Sequence, residues 1–150
     1  MRGFFGIGLW NTKATHNLGT LWRSANSYDA SFIFTIGARY KHQASDTLKT
    51  PRHVPLYSYV TFEEFYSNIP HDCQLIGVEL DAESICIKDF SHPQRCIYLL
   101  GAEDHGLPEN ILKRCHQIVQ LPGKWSLNVA VAGSIVMYDR VIRRVKEVGK

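Results

Sequence analysis

The chain has 150 residues, 45% of them hydrophobic and 21% charged, enough for one domain with a sizeable core and too few for a second. Its formal charge of +3 permits a polyanionic partner without demanding one. No apolar run approaches the ~18 residues that a bilayer span needs, no basic-then-apolar leader opens the chain, and Cys73, Cys86, Cys96 and Cys115 are scattered without a C-x-x-C pair; a cytoplasmic protein with reduced thiols and no membrane is therefore expected. Of the seven histidines only His116 adjoins a cysteine, and no Cys/His group has ligand spacing, so no metal is expected.

Phe4, Phe5, Ile7, Leu9 and Trp10 form an apolar run interrupted by Gly6 and Gly8, the pattern of a buried strand whose backbone is closely approached. After a polar turn, residues 17–28 read as a helix with Leu18, Leu21, Trp22 and Ala25 on one side, and residues 31–37 return as a Phe- and Ile-rich strand. Strand, helix and strand at this pitch make a βαβ unit, which predicts a parallel sheet. Residues 38–55 are polar and basic, with Arg39, Lys41, His42, Lys49, Arg52 and His53. A connection of that length is either a solvated surface loop or a functional one, and its arginines, lysines and Tyr40 suit phosphates and unstacked bases.

An extended piece is expected at 54–59, and Thr61 followed by Glu64 marks a capped helix that ends near Ser67, before Pro70. A strand follows at 74–80. Residues 84–87 read as a short helix or as a loop over the sheet. The clearest buried strand is Cys96-Ile97-Tyr98-Leu99-Leu100, which ends on Gly101-Ala102-Glu103-Asp104-His105-Gly106-Leu107-Pro108; in open α/β sheets ligands gather at such carboxyl ends. A helix over 109–114 leads to a last strand at 116–121, which Pro122-Gly123 stops. Ser126 then reads as the N-cap of a long final helix, whose Val129, Ala132, Gly133, Val136 and Met137 make a face of mostly small residues suited to close packing. The regular alternation predicts an α/β fold with a mostly parallel sheet flanked by helices, in one domain over residues 1–150.

Three segments share these strand ends: Asn17-Leu18-Gly19-Thr20-Leu21-Trp22-Arg23, Gly101-Ala102-Glu103-Asp104-His105-Gly106-Leu107 and Ser126-Leu127-Asn128-Val129-Ala130-Val131-Ala132. In this order and spacing they resemble the three motifs of the SpoU/TrmH family of RNA 2′-O-ribose methyltransferases, in the SPOUT superfamily, over nearly the whole chain. The resemblance implies a C-terminal deep trefoil knot, a rare exception to the rule against knots, a homodimer, and S-adenosylmethionine as methyl donor to a ribose 2′-hydroxyl of RNA. It carries catalytic roles to Arg23, Asn17, Glu103, Ser126 and Asn128, and cofactor-binding roles, largely through the backbone, to Leu100, Gly101, Leu121, Ser126 and Leu127.

A 2′-hydroxyl is a poor nucleophile that must be aligned and helped to lose its proton. Arg23, a permanent cation, is expected first to position the target and secondarily to assist deprotonation. Glu103 either holds Arg23 or a backbone N–H, or shapes its loop. Only Gly123-Lys124-Trp125 separates Pro122 from Ser126, a shorter loop than many relatives carry, and Trp125 either packs there or stacks on a base. Family members that act on ribosomal RNA often carry an extra N-terminal RNA-binding domain, and no separate one is expected here. RNA would then be gripped by residues 38–55 together with Arg140, Arg143 and Arg144, and tRNA is favoured over rRNA. The alternatives are an rRNA 2′-O-methyltransferase and a catalytically inactive RNA-binding member. A small oxidoreductase lacks support because no G-x-G-x-x-G follows the first strand.

Overall fold

The computed structural model describes residues 3–38 and 54–148, with side chains through residue 144. The basic stretch proposed for phosphate contact, at 38–55, lies almost wholly outside the described residues. In chain order the elements are β1 (Phe4–Trp10), α1 (Thr15–Ser27), β2 (Phe32–Ile36), β3 (Leu56–Tyr59), α2 (Phe62–Ser67), β4 (Gln74–Val78), β5 (Ile85–Cys86), β6 (Arg95–Leu100), α3 (Glu109–Leu112), β7 (Gln117–Gln120) and α4 (Val129–Val148). The seven strands form a single sheet in the order β3-β2-β1-β6-β4-β7-β5, and every pairing is parallel.

A parallel sheet is covered on both faces, which is why its central strands read as unbroken apolar runs. Alternate residues of each strand point to opposite sides. One face, with Ile7, Leu9, Ile33, Ile76, Tyr98 and Leu100, packs against Leu18, Leu21 and Ala25 of α1 and Ala130, Val136 and Met137 of α4. The other, with Phe34, Ile36, Leu75, Ile97 and Leu99, packs against Phe62 and Phe65 of α2 and Ile111 of α3. Gly6 and Gly8 stand opposite Phe32 and Phe34 in the β1–β2 register. A Cβ at either would lie 2.3 Å or 2.5 Å from the facing ring, so the two glycines leave the room those rings occupy.

The small-residue face of α4 packs within the chain. A Cβ at Gly133 would fall 2.5 Å from Cδ1 of Leu21, and Ser24 and Ser134 share a 2.7 Å hydrogen bond where the two helices touch. The opposite side of α4 leaves Val131, Ile135 and Tyr138 exposed.

Three expectations need correction. Residues 85–86 are neither helix nor loop but the edge strand β5 beside β7, followed by a 3-10 turn at Ile87–Asp89; two residues are too few to show a strand's alternation. The helix expected at 109–114 is regular only to Leu112, beyond which Arg114 N–H bonds the Ile111 carbonyl and tightens the turn.

The third concerns Arg140 of α4, which turns inward, whereas Arg143 and Arg144 stay partly exposed. Arg140 is 2% exposed and donates from Nη1 to the Pro93 carbonyl (2.6 Å) and the Tyr98 hydroxyl (3.2 Å), and from Nη2 to the Gln94 carbonyl (2.8 Å). Arg143 donates to the carbonyls of Phe90 and Ile87 and pairs with Asp139 at 3.1 Å. Arg144 lies against Gly3. The connection from Ile87 to Gln94 runs outside the strands, and although the Gln94 carbonyl also accepts the Phe4 N–H of β1 (2.8 Å), carbonyls such as that of Pro93 take their donors from these side chains, as buried acceptors need donors.

Candidate active site

At the carboxyl ends of the central strands, the chain after β4, the 101–107 loop after β6 and the 121–128 loop after β7 surround a cavity of about 470 Å³. All five positions assigned to the cofactor, Leu100, Gly101, Leu121, Ser126 and Leu127, line it, together with Glu79, Glu103 and Trp125. Its size falls within the range of small-molecule and cofactor sites, and its mixture of apolar walls with a few polar groups is their usual character.

Beside it three of the expected catalytic residues are joined directly. Asn128 Nδ2 donates to Asn17 Oδ1 (3.0 Å), and Asn17 Nδ2 donates to Glu103 Oε1 (2.7 Å). Thr12 Oγ1 donates to the same carboxylate oxygen at 2.6 Å. Asn17 and Thr12 are 2% and 1% exposed, so the centre of this relay is held away from water, where each bond is stronger and each unmade one costlier, while Glu103 is half-buried and Asn128 exposed. Burial pushes the Glu103 carboxyl up, but the hydrogen bonds from Thr12 and Asn17, which favour the charged form, contribute to holding it below the usual carboxylate range. Its second oxygen, Oε2, is buried and makes no well-formed hydrogen bond, while the backbone N–H groups of Glu103 and Lys13 also favour the charged form.

Asn128 also fixes where α4 begins. Its Oδ1 accepts from Ala130 N (2.9 Å) and Val131 N (3.2 Å), and its carbonyl accepts the helix's first bond, from Ala132 N. Asn128 is therefore the N-cap and Ser126 is not. Both residue types cap well; what favours Asn128 is that the same side chain reaches Asn17 with its remaining amide protons. Ser126 sits two residues upstream, exposed at the cavity wall.

Arg23 is not part of this relay. It is exposed on α1 and does not line the cavity. Six residues of helix separate it from Asn17, about 9 Å along the axis and about 120° around it. Among the described residues its guanidinium has no hydrogen bond or ion pair, so it remains available to a group that approaches from outside. Gly101 also differs from expectation: the space beside it is filled by the chain's own backbone, Gly106 and Leu107, at 2.3–2.5 Å from where a Cβ would stand. The glycine allows the loop to fold back on itself, an arrangement closed by the Ala102–Gly106 bridge and the Gly106 N–H bond to the Ala102 carbonyl (2.9 Å).

Two residues of the site escape sequence reasoning, Thr12 and Glu79. Thr12 lies in a polar turn where any threonine reads as solvated. Glu79 directly follows β4, and nothing near it in sequence shows that its carboxylate meets a loop 28 residues away. Among the described residues no group of three or more His, Cys, Asp or Glu could hold a metal ion, and no helix is long and apolar enough to cross a membrane. The thiols of Cys73 and Cys115 are pushed up to about 11, in both cases chiefly by burial, which keeps them protonated and unreactive.

Comparison with known proteins gives a consistent outcome. The model of the SpoU rRNA Methylase family matches residues 5–138. The mouse protein tRNA (guanosine(18)-2'-O)-methyltransferase TARBP1 is 32% identical over 68 residues, which are 43% of this chain and 4% of that one. Among solved structures, the SpoU methyltransferase AviRb from Streptomyces viridochromogenes in complex with AdoMet superposes with a TM-score of 0.84 at 21% identity, covering 97% of this chain and 59% of that one. The AdoMet-bound rRNA methyltransferase from Sinorhizobium meliloti gives 0.82 at 22%, covering 96% and 57%. A structure concerned with the 2-OH methylation of C/U34 on tRNA gives 0.82 at 21%, covering 97% and 98%. These structural likenesses establish the fold. The chain spans only a small part of the mouse relative and less than two thirds of the first two structures.

Proposed function

From the membership of this chain in the SpoU rRNA Methylase family, whose model covers residues 5–138, we propose that it transfers the methyl group of S-adenosylmethionine to a ribose 2′-hydroxyl of RNA. The observation that carries the reading is the Asn128–Asn17–Glu103 relay, which joins three of the expected catalytic positions at the rim of a cavity lined by all five expected cofactor positions. The cavity suits that cofactor: leucine walls at Leu100, Leu121 and Leu127 for an aromatic ring, and the carboxylate of Glu103 for a cationic group. When bound, S-adenosylmethionine supplies a methyl group on a sulfonium centre, open to in-line displacement.

The residues of this chain do the rest. Glu103 is kept ionised and fixed in direction by Thr12 and Asn17, so it places a preorganised negative charge at the cavity wall that costs no reorganisation during reaction. Asn17 holds that geometry directly, and Asn128 holds Asn17. Arg23, exposed and unengaged among the described residues, is assigned to the incoming RNA, where its fork of donors holds a phosphate or the target nucleotide. A tRNA substrate is favoured over rRNA by the partial match to a tRNA enzyme and by the structural neighbour of equal length concerned with tRNA. The trefoil knot, the cytoplasmic location and the homodimer belong to the same proposal; the exposed stripe Val131, Ile135 and Tyr138 on α4 supports the last.

Incubation with methyl-labelled S-adenosylmethionine and total small RNA, followed by digestion to nucleosides, tests the reading. A labelled 2′-O-methylnucleoside is the expected product. Arg23→Ala is expected to abolish transfer with little change in cofactor affinity. Label on a base, or no binding of cofactor by calorimetry, overturns the proposal.

A further inference from the structure

We infer that Glu79, at the end of β4, is a positioning residue for this site: its carboxylate latches the 101–107 loop in the shape that forms one wall of the cavity. Oε2 accepts the Leu107 N–H at 2.9 Å, and Oε1 accepts the Leu80 N–H at 3.1 Å. The backbone of Glu79 is itself anchored, its N–H donating to the Val119 carbonyl of β7 at 3.0 Å. One residue therefore ties β4, β7 and the loop after β6 together.

The loop is built to receive that carboxylate. Gly106 has φ +67, a left-handed backbone that glycine adopts without penalty, and a Cβ there would stand 2.5 Å from Glu79 Oε2. Glycine is thus required twice at this position, for its backbone angle and for the approach of the oxygen. Gly101 is in turn pressed against the backbone of Gly106 and Leu107, so the latch at one end of the loop sets the position of Gly101 and Leu100 at the other. Glu103 lies between them and reaches the relay from the same loop.

A charged acceptor on a backbone N–H is stronger than a neutral one. The Gly101 wall is assigned to cofactor binding, so loosening it weakens cofactor binding before it unfolds the domain. The inference rests on the proposed cofactor reading, and the measurements separate the two. S-adenosylhomocysteine titrated calorimetrically into the full chain is expected to bind Glu79→Ala at least about tenfold more weakly than the parent, the fold-change of one lost charge-assisted hydrogen bond.

Glu79→Gln keeps a carbonyl oxygen for one of the two amides and is expected to fall between them. Gly106→Ala displaces the same carboxylate, so the double variant Glu79→Ala/Gly106→Ala is expected to be no weaker than the worse single one, because both act on one contact. Amide exchange at Leu107 gives a reading that needs no cofactor: protection in the parent and its loss in Glu79→Ala. Parent binding with Glu79→Ala equally tight and Leu107 equally protected overturns the latch alone. A parent that does not bind S-adenosylhomocysteine overturns both the cofactor reading and the positioning role built on it.

Discussion

Replacing Arg140 by methionine separates a role in the fold from a role in gripping RNA. The side chain is 2% exposed, its guanidinium lies 5.2 Å from the centre of the Phe5 ring, and it donates to the carbonyls of Pro93 and Gln94 at 2.6 and 2.8 Å. Methionine fills much of the volume but donates nothing. Each carbonyl then loses a charged donor, at about 1.5–3 kcal/mol apiece. The Tyr98 hydroxyl keeps its 2.6 Å bond to His92 Nδ1 and adds little.

The return for no longer burying a charge reduces the total, which leaves a loss of about 2–5 kcal/mol. Against a typical domain stability of about 5–15 kcal/mol, that is readily measured by urea denaturation followed by tryptophan fluorescence. RNA affinity, measured where the variant is still folded, is expected to be unchanged. A stability loss below about 1 kcal/mol, or a drop in RNA affinity without one, refutes the assignment of Arg140 to the fold.

Asn17→Ala removes both bonds of the relay at once and leaves Glu103 with Thr12 as its one side-chain donor among the described residues; a loss of about 2–4 kcal/mol is expected, together with a rise in the Glu103 pKa, read by comparing the acid limbs of the two unfolding profiles. Because that pKa is held low in the folded state, its contribution is present above the unfolded value and lost as pH falls through the folded one, so the variant's acid limb should be shallower.

His92 behaves similarly as a base. Burial lowers its pKa against the opposing pull of Asp139, with Arg140 and Arg143 adding to the depression, so stability present above about pH 6.5 is lost as pH falls through the folded value. His92→Gln should flatten the urea midpoint between pH 7 and 5, and an unchanged slope would show that other groups dominate. Gly8→Ala places a methyl 2.5 Å from the Phe34 ring and carbonyl; a cost of about 1–3 kcal/mol by thermal or urea unfolding is expected.

What the sequence reveals about this fold depends on the range of the interaction. Buried strands such as β1 and β6 carry their signal in five to seven adjacent residues, because both faces are covered, and the motif segments stand at strand ends that the same runs define. Arg140 shows the limit. On a helix rich in Arg and Lys it reads as surface charge, and only the depth to which α4 sinks beside β6 turns it toward Pro93 and Gln94.

The choice between Ser126 and Asn128 as cap is likewise undecidable locally, since Asn17, 111 residues away, decides it. Thr12 and Glu79 carry no local mark for the same reason. Of the site, the relay residues and the cavity wall were legible as positions, whereas their partners were not; Arg23 was legible as a candidate, and its exposure outside the cavity was not.

The distance in sequence between the relay's members also bears on how the protein is made. Asn17 emerges well before Glu103, and Asn128 only with α4, yet Asn17 bonds directly to both of the others. Because the β1–β6 pairing at the centre of the sheet also joins residues about 90 positions apart, early segments must wait for late ones, a topology that folds slowly and leaves apolar strand edges open in the interval. A nascent chain that stops short of α4 can therefore lay down most of the sheet and still lack both the cap and one end of the relay. Completion of the site coincides with docking of the last helix, so a ribosome-stalled or truncated product would expose the Leu21 face that Gly133 normally covers and stand open to proteolysis.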